Sequence, residues 1–218
     1  MLKNYKKKLD EIVLNMNDVG SDLLKANKLI LDSLDDCDIE KFKKAKEYTR
    51  SVASKVNNID NHIVSILALH KPEAKDLRWL TSALKITNEL MSISIKTKYF
   101  IEDFSAICEE LNTKEIVKYA IPMQKATVKA LKYAIEMISI DNIEDIQDNY
   151  TKVLVSKNKT DDIYEMIESN LKKDAKEIKK FTKYYKMIQA LRNSEKIADR
   201  AMSIATLLTY AHSGGEIH

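Results

Sequence analysis

Apolar residues at the start of the chain recur every three or four positions. The series is Leu2, Tyr5, Leu9, Ile12, Met16, Val19, Leu23, Ala26 and Ile30. Steps of three and four place side chains on one face of an α-helix, whereas a strand would alternate every second residue. The pattern therefore predicts one long amphipathic helix, which ends at the acidic stretch 35–38.

Two more helices are predicted before residue 112. Asp38 has the position of an N-cap for a second helix, whose apolar residues run from Phe42 to Leu67 and which ends near His70. Pro72 occupies a first-turn position of a third helix that runs to about Leu111. Because the connections are short, we expect neighbouring helices to be antiparallel.

The same organisation restarts after Leu111. Starts of a fourth, fifth and sixth helix are indicated by the pairs Asn112 with Glu115, Asp141 with Glu144, and Asp174 with Glu177. Each pair has the spacing in which an N-cap and a later carboxylate satisfy free backbone N–H groups. Pro122 lies inside the predicted fourth helix and indicates either a kink or a later start for it.

The two halves match in register. Leu77, Leu80, Leu84 and Ile93 correspond to Phe181, Tyr184, Ile188 and Ile197, with a constant offset of 104 positions. Such an offset indicates an internal duplication. We therefore predict an all-α fold of two tandem antiparallel three-helix bundles with six long helices, the first bundle over residues 1–111 and the second over 112–218.

Composition narrows the classes of function. The chain has 3 glycines, at Gly20, Gly214 and Gly215, so it contains neither a GxGxxG nor a GxxxxGK phosphate-binding loop. Its net charge of +3 is too small to indicate a nucleic-acid partner. Nucleotide-binding folds of the usual kinds are therefore excluded, and no nucleic-acid partner is expected.

Cysteine spacing and hydropathy indicate the cellular compartment in which the protein is found. Cys37 and Cys108 are far apart in sequence and belong to no CxxC motif, which favours reduced thiols over a disulfide or a zinc site. No signal-peptide pattern opens the chain, and the longest nearly apolar run, 63–69, is too short to span a bilayer. We expect a soluble, cytoplasmic protein.

Two acids interrupt the inward stripe of the predicted sixth helix. The stripe comprises Ile178, Phe181, Tyr185, Ile188, Arg192, Glu195, Asp199 and Met202. Carboxylates one turn apart repel each other unless a cation lies between them. Two interpretations stay open, namely a metal held with oxygens from a partner helix, or simple pairing with Arg192, Lys196 or Arg200.

The offset of 104 places Met91 and Ile95 where the second half has Glu195 and Asp199. Since neither Met91 nor Ile95 offers an oxygen ligand, at most one half can hold a metal in this way. Any such site is therefore predicted in the second half only.

Lysines form another stripe at the start of the sixth helix. Lys176, Lys179, Lys183 and Lys186 recur at helical spacing. A solvated face explains the stripe, and contact with an acidic partner or with lipid headgroups is the alternative. The sequence does not decide between them.

Catalytic motifs are absent from the sequence. The four histidines, His62, His70, His212 and His218, have no Glu three residues before them, and no HExxH motif occurs. The Glu-x-x-His ligand pairs of di-iron bundles are thus missing. Nucleophilic use of Cys108 would need a histidine brought close by folding. We predict no catalytic residue.

Four segments resemble the PhoU family of phosphate-signalling proteins. They are residues 70–78 (HKPEAKDLR), 83–90 (ALKITNEL), 190–201 (ALRNSEKIADRA) and the ending 213–218 (SGGEIH). The resemblance covers the whole chain. It implies a pair of three-helix bundles and a cytoplasmic, non-enzymatic regulator.

 Its implied activity is inhibition of phosphate uptake, and of the phosphate-responsive sensor kinase, when phosphate is plentiful.

The resemblance also implies partners. A phosphate transporter, a sensor histidine kinase or both would be bound, any contact with the membrane would be peripheral and made through these partners, and the chain would form a homo-oligomer such as a dimer. The missing ligands described next indicate a divergent member, which fits a regulator of a transporter other than the phosphate-specific ABC system.

Members of the PhoU family bind metal clusters through a Glu or Asp that is followed four positions later by Asp. Glu195 and Asp199 match this motif, and Asp161 matches a further family acid from the preceding helix. The resemblance thus implies Glu195, Asp199 and Asp161 as ligands of one divalent or ferric ion (Fe, Zn, Mn or Mg) in the second repeat, or no metal at all. In the first repeat Asp60 is the counterpart of Asp161.

One family acid is replaced in each half. The acid usually found one turn before Asp161 falls on Lys157, and the one before Asp60 falls on Val56.

Two hypotheses about function follow from the sequence. The first is a regulatory binding protein with a double bundle, and the second is a carboxylate-bridged metal enzyme working at Glu195 and Asp199.

Overall fold

Helices account for all the regular structure that is described. The computed structural model describes residues 2–111, 114, 116–174 and 178–214. Its α-helices are α1 (Leu2–Ser33), α2 (Ile39–Tyr48), α3 (Val52–Leu69), α4 (Ala74–Ser105), α5 (Ile121–Glu136), α6 (Ile143–Asp174) and α7 (Ile178–Ser213). The predicted all-α class is confirmed. Among these described helices, none is both long enough and apolar enough to cross a membrane.

The first helix follows its sequence pattern closely. Six residues of the predicted stripe are fully buried, namely Ile12, Met16, Val19, Leu23, Ala26 and Ile30. Asp38 caps α2 as predicted, because its Oδ1 accepts hydrogen bonds from the backbone N–H groups of Glu40 (3.0 Å) and Lys41 (3.1 Å). These bonds satisfy donors that the first helical turn leaves free.

The predicted second helix is divided into α2 and α3 by a turn at residues 49–51. The buried Thr49 hydroxyl donates to the Lys46 carbonyl (2.6 Å), and the backbone N–H of Arg50 donates to the Glu47 carbonyl (3.0 Å). Bonds to the third preceding residue tighten the chain and end the α-helical ladder. Threonine signals no break by itself, so the single predicted helix is wrong at this point.

Three predicted boundaries shift. Pro72 precedes α4, whose N-cap is Glu73, and α4 ends at Ser105 rather than near Leu111. Residues Cys108–Glu110 form a short 3₁₀ turn instead. Pro122 lies in the first turn of α5, directly after the π-helical turn Ile116–Ala120, so the later start is the correct alternative.

The caps predicted for the later helices differ in outcome. Asn142, and not Asp141, caps α6, since its Oδ1 accepts a hydrogen bond from the backbone N–H of Glu144 at 2.9 Å. Asn112, Glu115 and Glu177 lie outside the described residues, so their predicted roles in capping stay predictions.

In each half three helices are in mutual contact, and the two halves pack on each other. Within the first half α1, α3 and α4 are in mutual contact, and within the second α5, α6 and α7 are. The halves meet mainly where α4 packs along α7 and where α1 packs against α5. Both apolar core clusters contain residues from both halves. The domain boundary between residues 111 and 112 stays a prediction.

Polar side chains connect four helices inside the core. Asn27 on α1, Thr97 on α4, Gln124 on α5 and Ser194 on α7 are all fully buried. Asn27 donates to the Thr97 hydroxyl (3.1 Å), and Ser194 donates to the Gln124 side-chain oxygen (2.7 Å). Buried polar groups that are fully bonded specify one arrangement of the helices around them. We call these four residues the core polar network.

The two cysteines are neighbours in the fold. Cys37 and Cys108 form a disulfide, with Cα atoms 5.8 Å apart and 71 positions between them in sequence. Cys37 adopts a left-handed backbone conformation (φ 55°) in the turn after α1, which brings its side chain toward the 3₁₀ turn that holds Cys108. The prediction of two separate reduced thiols is therefore wrong, because sequence spacing does not reveal contact between distant turns.

Candidate metal centre

Three carboxylates converge between α6 and α7. Asp161 on α6 and Glu195 and Asp199 on α7 each place one oxygen within 4.8 Å of the others. These are the three ligands that the sequence predicted, and the structure brings all of them together. We call this group the carboxylate cluster.

Burial differs among the three acids. Glu195 is 7% exposed, and it sits beside the fully buried Ser194 on the face of α7 that packs against the other helices. Asp161 and Asp199 are half-buried. The cluster thus has a buried end at Glu195 and an end that solvent reaches.

Three cationic side chains contact the cluster. Lys157 places its Nζ 2.5 Å from Asp161 and 3.8 Å from Asp199. Lys196 places its Nζ 2.7 Å from Asp199 and 3.5 Å from Glu195. The Nε of Arg192 lies 3.3 Å from Glu195, and its guanidinium covers the ring of Tyr164. Each carboxylate therefore has a cationic partner, as one of the two open interpretations required.

One oxygen of Glu195 has an ion pair but no hydrogen bond. Its Oε2 is buried and, among the described residues, has no hydrogen-bond partner, although the Arg192 guanidinium is near. Burial raises the pKa of Glu195, Lys196 and Arg192 oppose that rise, and the neighbouring carboxylates of Asp199 and Asp161 add to it. A buried carboxylate oxygen that accepts no hydrogen bond is a favourable position for a cation.

The donor set determines which ion would fit. Every donor of the cluster is a carboxylate oxygen, which suits a hard cation such as Mg²⁺ or Mn²⁺ better than a zinc ion preferring His or Cys. The residues present therefore fit one hard cation between α6 and α7. The ammonium of Lys157 lies between two of the same acids.

Among the corresponding positions of the first half, Asp60 is the one acidic residue. Met91 is half-buried against the apolar core, whereas Ile95 is 40% exposed. Val56 is buried, and Asp60 accepts a hydrogen bond from the Thr87 hydroxyl at 2.6 Å. These positions supply one carboxylate, and that carboxylate already has a donor.

The inward stripe predicted for the last helix is partly wrong. Tyr185 is 50% exposed, and the buried face of α7 instead carries Met187, Ala190, Leu191, Ile197, Ala198 and Ala201. The small alanines let α7 approach its neighbours closely, and a pattern built on large apolar residues overlooks them. The lysine stripe lies mostly outside the described side chains, with Lys186 exposed, and its role stays open.

Lys157 is the residue of this site whose position the sequence did not reveal. It precedes Asp161 by one helical turn, a spacing that indicates an ion pair along α6. No sequence signal shows that it also reaches Asp199 on α7. Lys157 further lines a cavity of about 600 Å³ together with Lys85, Asn88 and Glu89.

Comparisons with known proteins agree with this architecture. No protein-family profile matches the chain. One curated relative, the phosphate-specific transport system accessory protein PhoU homolog 1 of Methanothermobacter thermautotrophicus, is 23% identical over 202 residues, covering 92% of this chain and 90% of the relative.

Solved structures resemble the chain over nearly its full length. PhoU from Pseudomonas aeruginosa superposes with a TM-score of 0.85 at 22% identity, covering 97% of this chain and 100% of that one. The phosphate transport system regulatory protein PhoU from Streptococcus pneumoniae gives 0.80 at 17% identity, with 98% and 99% covered. The chain therefore has the PhoU fold, and the resemblance to the PhoU family indicated by its sequence motifs is confirmed.

Proposed function

We propose that the protein is a regulatory accessory component of a phosphate transport system. In this role it lowers phosphate uptake and phosphate-responsive signalling when phosphate is plentiful, by binding the transporter, its sensor histidine kinase or both. The observation that carries the proposal is the similarity along the whole chain to proteins named as PhoU, in sequence and in fold.

A binding role suits the chemistry of the described surface better than catalysis. In the carboxylate cluster each acid is engaged by Lys157, Lys196 or Arg192, so none is free to act as a general base. The group holds no histidine or cysteine. The alternative of a carboxylate-bridged metal enzyme therefore has no specific observation in its favour, and we propose a non-enzymatic protein.

The proposal extends to the setting in which the protein works. We place it in the cytoplasm as a homo-oligomer such as a dimer, at the inner face of the membrane through its partners. If these partners lie in the membrane, docking would use helix faces rather than inserted segments. The predicted lysine stripe, including the exposed Lys186, is the proposed surface for acidic partners or headgroups.

We further propose that Asp161, Glu195 and Asp199 hold one hard cation. Such an ion would join α6 to α7 through ligands from both helices and would use the buried oxygen of Glu195 that accepts no hydrogen bond. Its contribution would be structural, because ligands on two helices fix how those helices pack.

Deletion of the gene tests the regulatory role. In phosphate-rich medium the deletion strain should take up more phosphate and express phosphate-starvation genes, and the wild-type gene should restore both. The matched control is the same strain in phosphate-starved medium, where regulation is already released and little change is expected. Unchanged uptake and expression in rich medium would contradict the proposal.

A further inference from the structure

The ammonium of Lys157 lies where a cation shared by α6 and α7 would bind. It contacts Oδ2 of Asp161 on its own helix and Oδ1 of Asp199 on the neighbouring helix. Lys196 reaches the other oxygen of Asp199, Oδ2, and its second carboxylate is Glu195 on the same helix. Lys157 therefore bridges the two helices in the way that a metal with these ligands would.

The net charge of the carboxylate cluster determines how readily a metal ion can enter it. The three acids of the cluster are matched by the charges of Lys157, Lys196 and Arg192, so the group is neutral before any metal arrives. A divalent ion added to that neutral group would leave two positive charges in a half-buried place, which is costly. Departure of one cation removes much of that cost.

We propose that Lys157 is a built-in competitor for the metal, so that an ion enters the carboxylate cluster only by displacing its ammonium. The inference rests on the cation site proposed above and adds the residue that controls it. Because the ammonium is tethered beside the acids, its local concentration is high and it competes effectively with a dilute ion.

The displaced side chain has somewhere to go. Lys157 is 26% exposed at its side chain and lines the cavity of about 600 Å³ beside the cluster. Glu89 of that cavity pairs with Arg200 (3.3 Å), and the cavity also offers the amide of Asn88. A flexible lysine stem can therefore turn toward water without disturbing the helices that hold the acids.

Titration with Mn²⁺ followed by calorimetry tests the proposal on the full-length protein. We expect the Lys157→Gln variant to bind one Mn²⁺ per chain at least about tenfold more tightly than the wild type, because a competing charge is removed. Lys152→Gln is the matched control, since Lys152 pairs with Asp148 one turn away on the same helix, as Lys157 does with Asp161. It should keep the wild-type affinity.

Several outcomes would overturn the proposal. Equal, measurable affinities of wild type and Lys157→Gln would leave the cation site intact but remove the competitor. Absence of Mn²⁺ binding in both would refute the site and the competitor together, without touching the regulatory role tested by gene deletion. If Lys157→Gln does not fold by circular dichroism, Lys157→Met, which keeps an apolar stem without the charge, carries the same expectation. Binding that survives the added change Glu195→Gln would lie elsewhere and would also contradict the proposal.

Discussion

The side-chain amide of Gln124 donates to both the backbone oxygen and the side-chain oxygen of Asn27, each at 3.1 Å. Gln124 belongs to α5 and Asn27 to α1, so this contact joins the two halves of the chain at the centre of the core polar network. Both residues are fully buried. Polar groups in this position stabilise the fold only while every partner is present.

Replacement of Gln124 by Leu should lower the free energy of unfolding by about 1–3 kcal/mol, because the buried Asn27 and Ser194 side chains lose their partner. Urea unfolding measured by circular dichroism would give this value. Gln147→Leu is the matched control, since Gln147 is exposed on α6. A loss at Gln124 no larger than at Gln147 would show that water replaces the missing bonds.

Gly20 marks a close approach of α1 to α5. A Cβ at this position would lie 2.9 Å from both Cγ1 and Cγ2 of Ile135. Alanine gains about 1 kcal/mol of helix propensity over glycine, whereas overpacking costs about 1–3 kcal/mol. Because both contacted atoms adjoin the Ile135 Cβ and cannot swing away, we expect Gly20→Ala to destabilise the protein in thermal unfolding. In an Ile135→Ala background, which lacks both Cγ atoms, Gly20→Ala should cost less. A higher melting temperature for Gly20→Ala alone would contradict the argument.

The sequence pattern predicted the structure correctly where that structure depends on nearby residues. The buried face of α1 and the Asp38 cap could be predicted because each depends on residues within one or two turns. The break at Thr49 and the contact of Cys37 with Cys108 could not, because each depends on packing between distant segments.

The carboxylate cluster shows the same division. Its three acids could be named from a motif and an offset, since these fix positions along the helices. The ion pair of Lys157 with Asp199 depends on the relative rotation of α6 and α7, which the sequence does not specify.

Mn²⁺ binding should depend on the acids of the second half and not on those of the first half. In the Lys157→Gln background, Asp161→Asn should abolish Mn²⁺ binding, because it removes the ligand that α6 contributes. Asp60→Asn in the same background is the control and should leave one Mn²⁺ bound, since Asp60 is engaged by Thr87. Metal content after gel filtration measures both. Equal losses in the two variants would contradict a single site in the second half.

His212 makes stability depend on pH. Burial lowers its pKa, Lys75 lowers it further, and Asp141 opposes the shift. The folded protein thus binds fewer protons than the unfolded chain between the lowered pKa and the ordinary value near 6.5, so the free energy of unfolding falls as pH drops through that window. Urea unfolding can be measured from pH 8 to pH 5 at intervals of about half a pH unit. The free energy of unfolding should fall less for His212→Gln than for the wild type. His62→Gln, at an exposed position of α3, should keep the wild-type slope.

The disulfide should be measurable in the purified protein. Air-oxidised wild type is expected to show no free thiols after denaturation, and reduction should lower the free energy of unfolding by about 2–4 kcal/mol because the loop it closes is long. Cys108→Ser should resemble the reduced wild type and should not respond to dithiothreitol. Two free thiols in the oxidised, denatured wild type would refute the bond.

The sharing of both apolar clusters between the halves has a consequence for how the chain can be divided. Ile12 and Ile197 belong to one cluster, and Ile30 and Leu191 belong to the other. A chain severed after Leu111 would leave each fragment with two incomplete cores rather than one complete core. Such fragments would fold only by reassociating, as the pieces of a split protein do. We therefore expect the whole chain to unfold as one cooperative unit.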